Sequence, residues 1–442
     1  MRIGLPKKVK YIIETLQAAG YEAYAVGGCI RDSILGKEPN DWDITTSARP
    51  EAVKALFNRT IDTGIRHGTV TVMLDREGFE VTTYRIDGEY EDSRHPREVA
   101  YTLELKEDLR RRDFTINAMA YNETDGLVDL FGGMDDITNH IVRCVGDAKE
   151  RFSEDALRIM RAIRFSAQLG YEIEEKTVEA MKELSGNLCR ISAERIQAEL
   201  VKLLISKHPD YLRVAYKTGI TAHILPEFDL CMETDQNNPH HCYSVGEHIL
   251  HTFGFIKADK VLRLAMLFHD IGKPQTLTID EKGITHNYGH ASVGEKMTLS
   301  ILRRLKFDND TIGKVTRLVR FHDRSIEPNA KSVRRAIYQT GEDIFPLLFD
   351  VKYADIMAQS DYLREKKVQK LSVLKKIYEE ILARKDCLSL KELAVTGSDL
   401  IAFGMSPGQR IGHTLEQMLG IVLEEPECNQ KEYLLSLLPF ED

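Results

Sequence analysis

The chain has 442 residues, of which 29% are charged, and a formal net charge of −9 at pH 7. This length exceeds a single hydrophobic core and predicts about two to four domains. The net acidity excludes a uniformly basic surface for nucleic acid, although a local basic face is sufficient for phosphate contacts. Seven scattered cysteines and the absence of an apolar run near the ~20 residues of a membrane span predict a cytoplasmic protein with no membrane partner.

The beginning of the chain predicts a helix, a strand and a glycine turn. Residues 7–20 have helical spacing, and residues 23–26 form a short apolar run that is typical of a buried strand. Gly27 and Gly28 follow this run, with Arg31 three residues later. Glycines allow the backbone to turn and to approach a ligand closely, and the exposed N–H groups of such a turn suit a triphosphate. We therefore predict a phosphate site at this turn.

Two acidic residues follow the turn as Asp41-Trp-Asp43. Successive side chains of a strand alternate between its faces, so the two carboxylates are predicted to project to the same side. Adjacent carboxylates repel each other unless a cation joins them, and Mg²⁺ carrying nucleotide phosphates is the usual cation. The alternative is a glycine turn followed by an ordinary polar strand edge.

Residues 69–74 and 79–84 are rich in β-forming residues and predict a hairpin. Glu80 lies early in its second strand and is a candidate third carboxylate; the alternative is an exposed strand glutamate. The polar segment from Ile86 to Glu107 has the composition of a mobile loop over an active site or of a solvated connector. Further residues could bind the triphosphate and the ribose hydroxyls, or simply end a charged helix: Arg111, Arg112, Asp113 and Asn117.

The chain becomes predominantly helical from Ala148 onward. Asp155 and Arg158 are three residues apart, which predicts that they share one face of a helix, and Arg161 follows one turn later. Cytosine and adenine each present an amino donor beside an unprotonated ring nitrogen. A carboxylate and a guanidinium could therefore select these two bases together. The alternative is an ordinary intrahelical ion pair. Arg195 and Glu199, on a later helix, are predicted to support the helix that carries Asp155 and Arg158.

A later region is rich in histidine. His248, the pair His269-Asp270, and Asp355 have the types and order of mixed nitrogen and oxygen ligands for a divalent transition metal, or for Mg²⁺ if fewer histidines bind. His290 and His322 could extend the site toward a second metal. A single histidine on an apolar helix is usually only packed in the core, but the recurrence of these pieces favours a metal site.

The motifs of the first 200 residues resemble those of class II tRNA nucleotidyltransferases, the bacterial CCA-adding enzymes. They are Gly27-Gly28-x-x-Arg31-Asp32 with Asp41-x-Asp43, Arg111-Arg112-Asp113-Phe-Thr-Ile-Asn117-Ala, Glu154-Asp155-x-x-Arg158 and Glu194-Arg195-Ile-x-x-Glu199. The resemblance implies an α+β fold, with a polymerase-beta-like nucleotidyltransferase head followed by an all-helical neck, body and tail. The predicted boundaries are 1–140 for the head, 141–225 for the neck, 226–365 for the body and 366–442 for the tail.

The same resemblance implies the reaction. Asp41 and Asp43 bind Mg²⁺ with Glu80 as a third carboxylate, the 3′-hydroxyl of tRNA attacks the α-phosphate of CTP or ATP, and pyrophosphate leaves. The residues implied in nucleotide binding are Gly28, Arg31, Arg112, Asp113, Asn117, Asp155, Arg158 and Arg161. The segment from Ile86 to Glu107 resembles the flexible element associated with the final A addition.

The histidine-rich region resembles HD-domain phosphohydrolases, which some CCA-adding enzymes carry. The resemblance implies that His248, His269, Asp270 and Asp355 form its metal site. Several alternatives remain open at this point. They are an enzyme that adds only A or only C, a bacterial poly(A) polymerase, and an HD phosphohydrolase whose head merely binds nucleotide.

Overall fold

The computed structural model describes residues 1–87 and 99–438, which form two compact units, Met1–Pro226 and Glu227–Asp442. The finer division into head, neck, body and tail stays a prediction. Across the described residues, no helix combines the length and the apolar character needed to cross a membrane. Half of the predicted loop from Ile86 to Glu107 lies outside the described residues, at positions 88–98.

The first unit contains a seven-stranded sheet with the order β3-β4-β5-β2-β1-β8-β9. The strands up to residue 129 are β1 (Ala23–Val26), β2 (Asp43–Thr46), β3 (Thr60–Gly64), β4 (Thr69–Leu74), β5 (Glu77–Thr83), β6 (Arg85–Asp87), β7 (Val99–Tyr101), β8 (Met119–Asn122) and β9 (Gly126–Asp129). Strand β1 is buried along its whole length and pairs with β2 and β8 in antiparallel fashion. Strands β2 and β5 are parallel neighbours. Ile44 of β2 pairs with Val81 of β5, so the residues just before these two lie side by side in the sheet.

The helices of this part of the unit are α1 (Lys7–Ala18), α2 (Gly28–Ile34), α3 (Pro50–Leu56), α4 (Leu105–Arg110) and α5 (Gly133–Thr138). Helix α1 buries Val9, Ile12, Ile13 and Leu16, whose spacing places them on one face. Tyr24 and Val26 of β1 pack in a buried cluster with Tyr84, Leu109 and Ala120. This core packs against the strands on which the candidate residues lie.

The remainder of the first unit is mainly helical. It contains α6 (Ala148–Glu154), α7 (Leu157–Leu169), α8 (Glu175–Leu184), α9 (Ala193–Leu204), α10 (Leu212–Lys217), α11 (Thr221–Ile224) and the start of α12 (Pro226–Met232). The short strands β10 (Ile141–Val142) and β11 (Glu172–Ile173) pair in parallel between these helices. Helix α7 is amphipathic, with most of its side chains buried, and it ends at Gly170.

The second unit is built from helices and one small hairpin. Its helices are α13 (Val245–Thr252), α14 (Lys260–Phe268), α15 (Lys273–Thr276), α16 (His290–Arg304), α17 (Asn309–Phe321), α18 (Ala330–Thr340), α19 (Phe345–Ala358), α20 (Arg364–Arg384), α21 (Gly397–Ala402), α22 (Gln409–Glu424) and α23 (Lys431–Ser436). The hairpin consists of β12 (Thr278–Ile279) and β13 (Thr285–His286).

The predicted α+β fold is confirmed, with the sheet in the head and helices dominating thereafter. The structure adds two short strand pairs, β10–β11 and β12–β13, to the part that the resemblance implies is all helical. The sequence indicates a β-like segment at Ile141 to Val145, which contains β10, whereas the other three strands are two residues long and show too little periodicity to be predicted.

Candidate active site and candidate metal centre

Asp43 and Glu80 lie side by side on the neighbouring parallel strands β2 and β5, and the charge of Asp41 reaches both of them. Ile44 pairs with Val81, so Asp43 and Glu80 each lie one residue before a paired position on neighbouring parallel strands. Their side chains therefore occupy the same face of the sheet. Asp41 precedes Asp43 by two residues but lies outside β2, which begins at Asp43.

The prediction that Asp41 belongs to the strand is therefore wrong. The ladder between β1 and β2 ends where Val26 pairs with Asp43. Gly27, the residue after β1, has a φ of 88° and turns the following segment away from β2. Among the described residues, Asp41 is in no strand pair and lies in the loop that leads into β2, close enough to Asp43 for their charges to interact.

The environment of the carboxylates favours a bound cation. Desolvation raises the pKa of Asp43; the charge of Arg112 opposes this and the charge of Asp41 adds to it. Desolvation, followed by the charges of Asp43 and Asp41, raises the pKa of Glu80. Within the described part of the chain, no hydrogen bond or ion pair reaches the three carboxylates. Three unpartnered acidic groups that repel one another fit a site for a divalent metal.

Gly27 and Gly28 bring the backbone close to an arginine. A Cβ atom at Gly27 would lie 3.0 Å from Arg112 Nη1, and the positive φ of Gly27 is strained for any other residue. Arg112 Nη2 lies 3.5 Å from Asp108 Oδ2, and Arg112 Nε is buried with no hydrogen-bond partner in the part of the chain that the structure describes. The turn and Arg112 thus place N–H donors beside the carboxylates, which is the arrangement that phosphates need.

Asp108 was not predicted as a site residue, yet it is fully buried beneath these arginines. It accepts hydrogen bonds from Arg111 Nε at 2.9 Å and from Thr45 Oγ1 at 3.0 Å. Burial raises the pKa of Asp108, but the charges of Arg111 and Arg112 outweigh it and the net shift is downward. The spacing of three and four residues to the two arginines was the available signal in the sequence.

A buried polar network joins α2 to α7. Arg31 Nη1 donates to Asn117 Oδ1, and Asn117 Nδ2 donates to Asp113 Oδ1 at 3.2 Å. Asp113 Oδ2 accepts from Arg161 Nε at 2.7 Å. The structure thus brings four predicted nucleotide-binding residues together, and three arginines surround the ring of Phe165: Arg31, Arg161 and Arg164.

Replacing Asp113 by asparagine is expected to destabilise the protein by about 2–4 kcal/mol at pH 7, because a buried ion pair loses one charge. Burial opposes ionisation, but Arg161 and Asn117 lower the pKa of Asp113 from 3.8 to about 2. The stabilisation is therefore present above pH ~4 and lost as the pH falls through about 2. Urea unfolding at several pH values measures the difference between wild type and variant.

Asp62→Asn is the control for this measurement, since Asp62 forms an exposed ion pair with Lys54. Exposed pairs contribute about 0–1 kcal/mol. Equal unfolding free energies for wild type and Asp113→Asn at pH 7 would contradict a structural role for the buried network.

The predicted helical pair of Asp155 and Arg158 is not formed. Helix α6 ends at Glu154, and Asp155 lies between α6 and α7 in an extended conformation. Its Oδ1 accepts from the backbone N–H of Leu157 at 3.0 Å, while Oδ2 accepts from Arg195 Nη2 at 2.7 Å. An aspartate side chain that bonds the backbone two residues on competes with helix formation, which explains the break.

Arg158 lies in the first turn of α7 and binds different partners. Its Nη1 contacts Glu154 at 2.5 Å, and its Nη2 donates to the carbonyl oxygen of Arg111 at 2.9 Å. Arg164 forms a buried ion pair with Glu199. Of the two residues of α9, Arg195 therefore contacts Asp155 of the proposed nucleotide site, whereas Glu199 contacts Arg164, which is outside the predicted set.

The second unit gathers the predicted metal ligands into one cluster. His248 Nε2 lies 3.0 Å from Asp355 Oδ1 and 3.3 Å from His269 Nε2. His269 Nε2 lies 3.2 Å from Asp270 Oδ2. Helices α13 and α19 supply His248 and Asp355, and His269 and Asp270 follow directly after α14. His248, His269 and Asp270 are almost fully buried.

A second cluster shares Asp270 with the first. His290 Nε2 and His322 Nε2 lie 3.5 Å and 3.6 Å from Asp270 Oδ1, and 3.2 Å from each other. Each three-residue set brings its ligand atoms within 4.8 Å of one another. Since the two oxygens of Asp270 face different clusters, the arrangement has the form of a two-metal centre with a bridging carboxylate.

Backbone carbonyls orient the histidines of both clusters. The Nδ1 atoms of His269, His290 and His322 lie 2.7, 2.8 and 2.7 Å from carbonyl oxygens of Met266, Asn287 and Val319. A carbonyl only accepts, so Nδ1 carries a proton, and in the neutral ring Nε2 then presents a lone pair. Two such lone pairs 3.2 Å apart at His290 and His322 repel unless a cation lies between them. This chemistry fits bound metal.

The cavity that contains this centre has a volume of about 680 Å³. Lys273, which was not singled out from the sequence, places its ammonium 2.7 Å from Asp270 Oδ2. Among the described residues, that oxygen is buried and forms an ion pair with Lys273 but no hydrogen bond. Burial opposes ionisation of Asp270, but its neighbours, above all His269 and the ammonium of Lys273, hold the pKa of Asp270 well below its usual range.

Family models match three stretches of the chain. Residues 23–143 match the poly(A) polymerase head domain, and residues 275–438 match domain 2 of tRNA nucleotidyltransferases. Residues 170–232 match a model described as "Probable RNA and SrmB- binding site of polymerase A". The three models together span the head and most of the helical part.

The chain is similar to curated proteins along nearly its whole length. It is 35% identical to the CCA-adding enzyme of Lactobacillus helveticus over 419 residues, which are 94% of this chain and 92% of that protein. It is also 35% identical to the CCA-adding enzyme of Enterococcus faecalis, covering 97% of this chain and 95% of the relative.

Solved structures show the same architecture. The Bacillus stearothermophilus CCA-adding enzyme in complex with CTP is 28% identical, with a TM-score of 0.74, and the match covers 97% of this chain and 95% of that one. The Thermotoga maritima CCA-adding enzyme complexed with tRNA_CCA is 21% identical with a TM-score of 0.58, over 99% of this chain and 100% of that one, and supports the fold alone.

Proposed function

The chain belongs to the family of CCA-adding enzymes, which are tRNA nucleotidyltransferases, and on that premise we propose how its residues perform the reaction. The protein adds or repairs the 3′-terminal CCA of tRNA from CTP and ATP. The observation that carries the assignment of residues is that Asp41, Asp43 and Glu80 have no partners among the described residues and lie close enough for their charges to interact. Arg112, whose charge acts on Asp43, lies against the turn at Gly27.

Asp41, Asp43 and Glu80 are the catalytic carboxylates in this proposal, and Asp41 and Asp43 would hold Mg²⁺. When bound, Mg²⁺ supplies positive charge that stabilises the reacting phosphate. The 3′-hydroxyl oxygen of tRNA bonds to the α-phosphorus, the bond to the β-phosphate oxygen breaks, and pyrophosphate leaves as the hydroxyl proton passes to solvent. Gly28 and Arg112 bind the triphosphate.

Asp155 and Arg158 are the proposed base-selecting residues, although they do not pair with each other. The contact of Arg195 with Asp155 and the contact of Glu154 with Arg158 fix the two side chains separately. A carboxylate that accepts and a guanidinium that donates match cytosine and adenine, and mismatch uracil and guanine. The network of Arg31, Asn117, Asp113 and Arg161 connects this region with the glycine turn.

Incubation of the protein with tRNA lacking its terminus, Mg²⁺ and single or combined nucleotides tests this function. We expect addition of two CMP and one AMP, then arrest, with no incorporation from UTP or GTP. A sequencing gel resolves the products. Incorporation of C alone or A alone would identify a partial enzyme, continued A addition would identify a poly(A) polymerase, and no incorporation would contradict the proposal.

A second activity is supported by the two clusters that share Asp270. His248, His269, Asp270 and Asp355 would hold one divalent metal, and Asp270, His290 and His322 a second, as in an HD phosphohydrolase. A set rich in imidazole favours a transition metal over Mg²⁺. When bound, the metals supply charge that activates water and neutralises a phosphate. We propose a metal-dependent phosphohydrolase of phosphate esters in this unit.

A further inference from the structure

Helix α4 carries a buried carboxylate to which the proposed reaction assigns no role. Asp108 is fully buried, which is uncommon for an aspartate unless it is paired. Its Oδ1 accepts two hydrogen bonds from Arg111, from Nε at 2.9 Å and from Nη2 at 2.8 Å. The other oxygen, Oδ2, accepts from Thr45 Oγ1 at 3.0 Å and lies 3.5 Å from Arg112 Nη2. One carboxylate therefore contacts two arginines and a strand of the sheet.

Thr45 connects Asp108 with the two strands that carry the proposed catalytic carboxylates. It lies two residues after Asp43 on β2, and it pairs with Thr82 of β5, two residues after Glu80. Residues two apart on a strand face the same side of the sheet, so the hydroxyl of Thr45 shares a face with Asp43. Asp108 binds that hydroxyl and therefore lies on the same face of the sheet as the proposed catalytic carboxylates.

The contacts of Asp108 orient Arg112 without occupying its hydrogen-bond donors. Arg111 donates both hydrogen bonds to Oδ1, whereas Arg112 is held by an ion pair at 3.5 Å, which is longer than a usual hydrogen bond. The charge of Arg112 acts on Asp43, and Nη1 would lie 3.0 Å from a Cβ atom at Gly27. Its guanidinium thus lies by the glycine turn with N–H donors that suit a phosphate.

A carboxylate in this position is a poor device for stability alone. Desolvation offsets much of the attraction in a buried ion pair, and apolar residues of similar volume are often as stabilising. The carboxylate does restrict side-chain motion. An unrestrained arginine samples many rotamers, and a ligand that orders it loses affinity in doing so. Asp108 fixes Arg112 relative to β2 before a ligand binds, which lowers that loss.

We propose that Asp108 is a positioning residue for nucleotide transfer, which holds Arg112 against Thr45 of β2 so that the guanidinium meets the triphosphate at a set distance from the carboxylates. The inference rests on the proposed function of the head. Asp108 itself contacts no substrate. Its loss therefore weakens recognition of the triphosphate and leaves recognition of the base, which we assign to Asp155 and Arg158, unchanged.

Two ligands that differ only in their β- and γ-phosphates test the inference: CTP and cytidine 5′-monophosphate. Calorimetric titration of the full chain with each ligand in Mg²⁺ gives the ratio of the two affinities. Asp108→Asn removes the charge and keeps the shape. We expect it to weaken CTP binding by about 10- to 100-fold, the range for a hydrogen bond to a charged group, and to change monophosphate binding by less than about threefold.

Thr45→Val is a second variant, which decides the inference if Asp108→Asn does not fold. It removes the hydroxyl that binds Asp108 and keeps the branched side chain that suits a strand. We expect it to weaken CTP binding by about 3- to 10-fold, the range for a neutral hydrogen bond, again with little change for the monophosphate. Thr45→Ser retains the hydroxyl and is expected to keep the wild-type ratio.

Asp136→Asn is the matched control in the same unit. Asp136 is also buried and also accepts from a threonine and an arginine, from Thr115 Oγ1 at 2.6 Å and from Arg143 Nε at 3.1 Å. Its substitution should lower the unfolding temperature, as that of Asp108 does, and leave the ratio of the CTP and monophosphate affinities at the wild-type value. A purely structural role of Asp108 predicts the same result for both aspartates.

Three results would overturn the inference. They are a wild-type chain that binds CTP no more tightly than the monophosphate, a wild-type ratio in the folded Asp108→Asn and Thr45→Val variants, and an equal change of the ratio in Asp136→Asn. Nucleotide incorporation into tRNA separates this inference from the proposed function. If wild type binds CTP and incorporates nothing, the proposed function fails, and the ratio of affinities still decides the role of Asp108.

Discussion

Asp43→Asn is expected to lower nucleotide incorporation into tRNA by about a thousandfold or more, while the protein stays folded and binds tRNA. The substitution removes the negative charge of a carboxylate at the edge of β2 and keeps its size. Loss of a single group that stabilises transition-state charge costs about 10²- to 10³-fold, and weaker metal binding adds to this. Incorporation of labelled CMP under single-turnover conditions measures the change.

The electrostatics of the site also predict the effect on stability. The pKa of Asp43 is raised by desolvation and by Asp41, so its ionised form is disfavoured in the folded protein. An asparagine relieves this cost, and we expect an unfolding temperature in metal-free buffer that is equal to or above that of wild type. A residue whose role is structural would lose stability on the same substitution.

Asp75→Asn is the control in the same unit. Asp75 lies in the turn between β4 and β5, with a side chain 87% exposed, and asparagine tolerates its positive φ. Incorporation should be unchanged in this variant. A marked loss of stability in Asp43→Asn, or incorporation within a few-fold of wild type, would show that Asp43 is not a catalytic carboxylate.

Local patterns were sufficient to predict much of the head. The apolar run at 23–26 and the hairpin around residues 75–78 are set by residues close together in the sequence. The structure contains the first as β1 and the second as the pair β4–β5. The proximity of Glu80 to Asp43 was less accessible, since it depends on the parallel pairing of two strands 37 positions apart in register, from Ile44 to Val81. The resemblance to a family supplied that information, not the local pattern.

Other features depend on side-chain hydrogen bonds that compete with helix formation and on tertiary contacts, and residue spacing reveals neither of these. The spacing of Asp155 and Arg158 is helical, yet the side chain of Asp155 bonds the backbone of Leu157 and ends the helix. Arg195, 40 residues later, is the partner of Asp155. Likewise, Asp270 was predicted as a ligand, but its contact with Lys273 and its position between two histidine pairs follow only from the packing of α14, α16 and α17.

Because Asp270 belongs to both histidine clusters, its substitution is predicted to have a large effect on metal binding. Asp270→Asn is expected to abolish tight metal binding by the second unit, because both clusters lose their common negative charge. Mn²⁺ binding is best measured in an Asp43→Asn background, so that the head contributes little. We expect two Mn²⁺ ions per chain with Asp270 present and fewer than one in the variant.

Stability provides an independent measure of the same effect. A ligand that binds only the folded state at 100 times its Kd adds about 2.7 kcal/mol to the free energy of unfolding. Saturating Mn²⁺ should therefore raise the unfolding temperature of the Asp43→Asn protein by a few degrees and leave the double variant unchanged. Phosphate release should disappear with Asp270→Asn alone, while CCA addition continues, since Asp270 is not part of the head.

Asp323→Asn is the matched control for Asp270. Asp323 also follows a histidine at a helix end and lines the same cavity, but it belongs to neither cluster. Its substitution should leave the Mn²⁺ stoichiometry at two, because the lone pairs of His290 and His322 and both oxygens of Asp270 remain in place. Equal Mn²⁺ binding by the Asp43→Asn protein and the double variant would show that Asp270 is not a metal ligand shared by the two clusters.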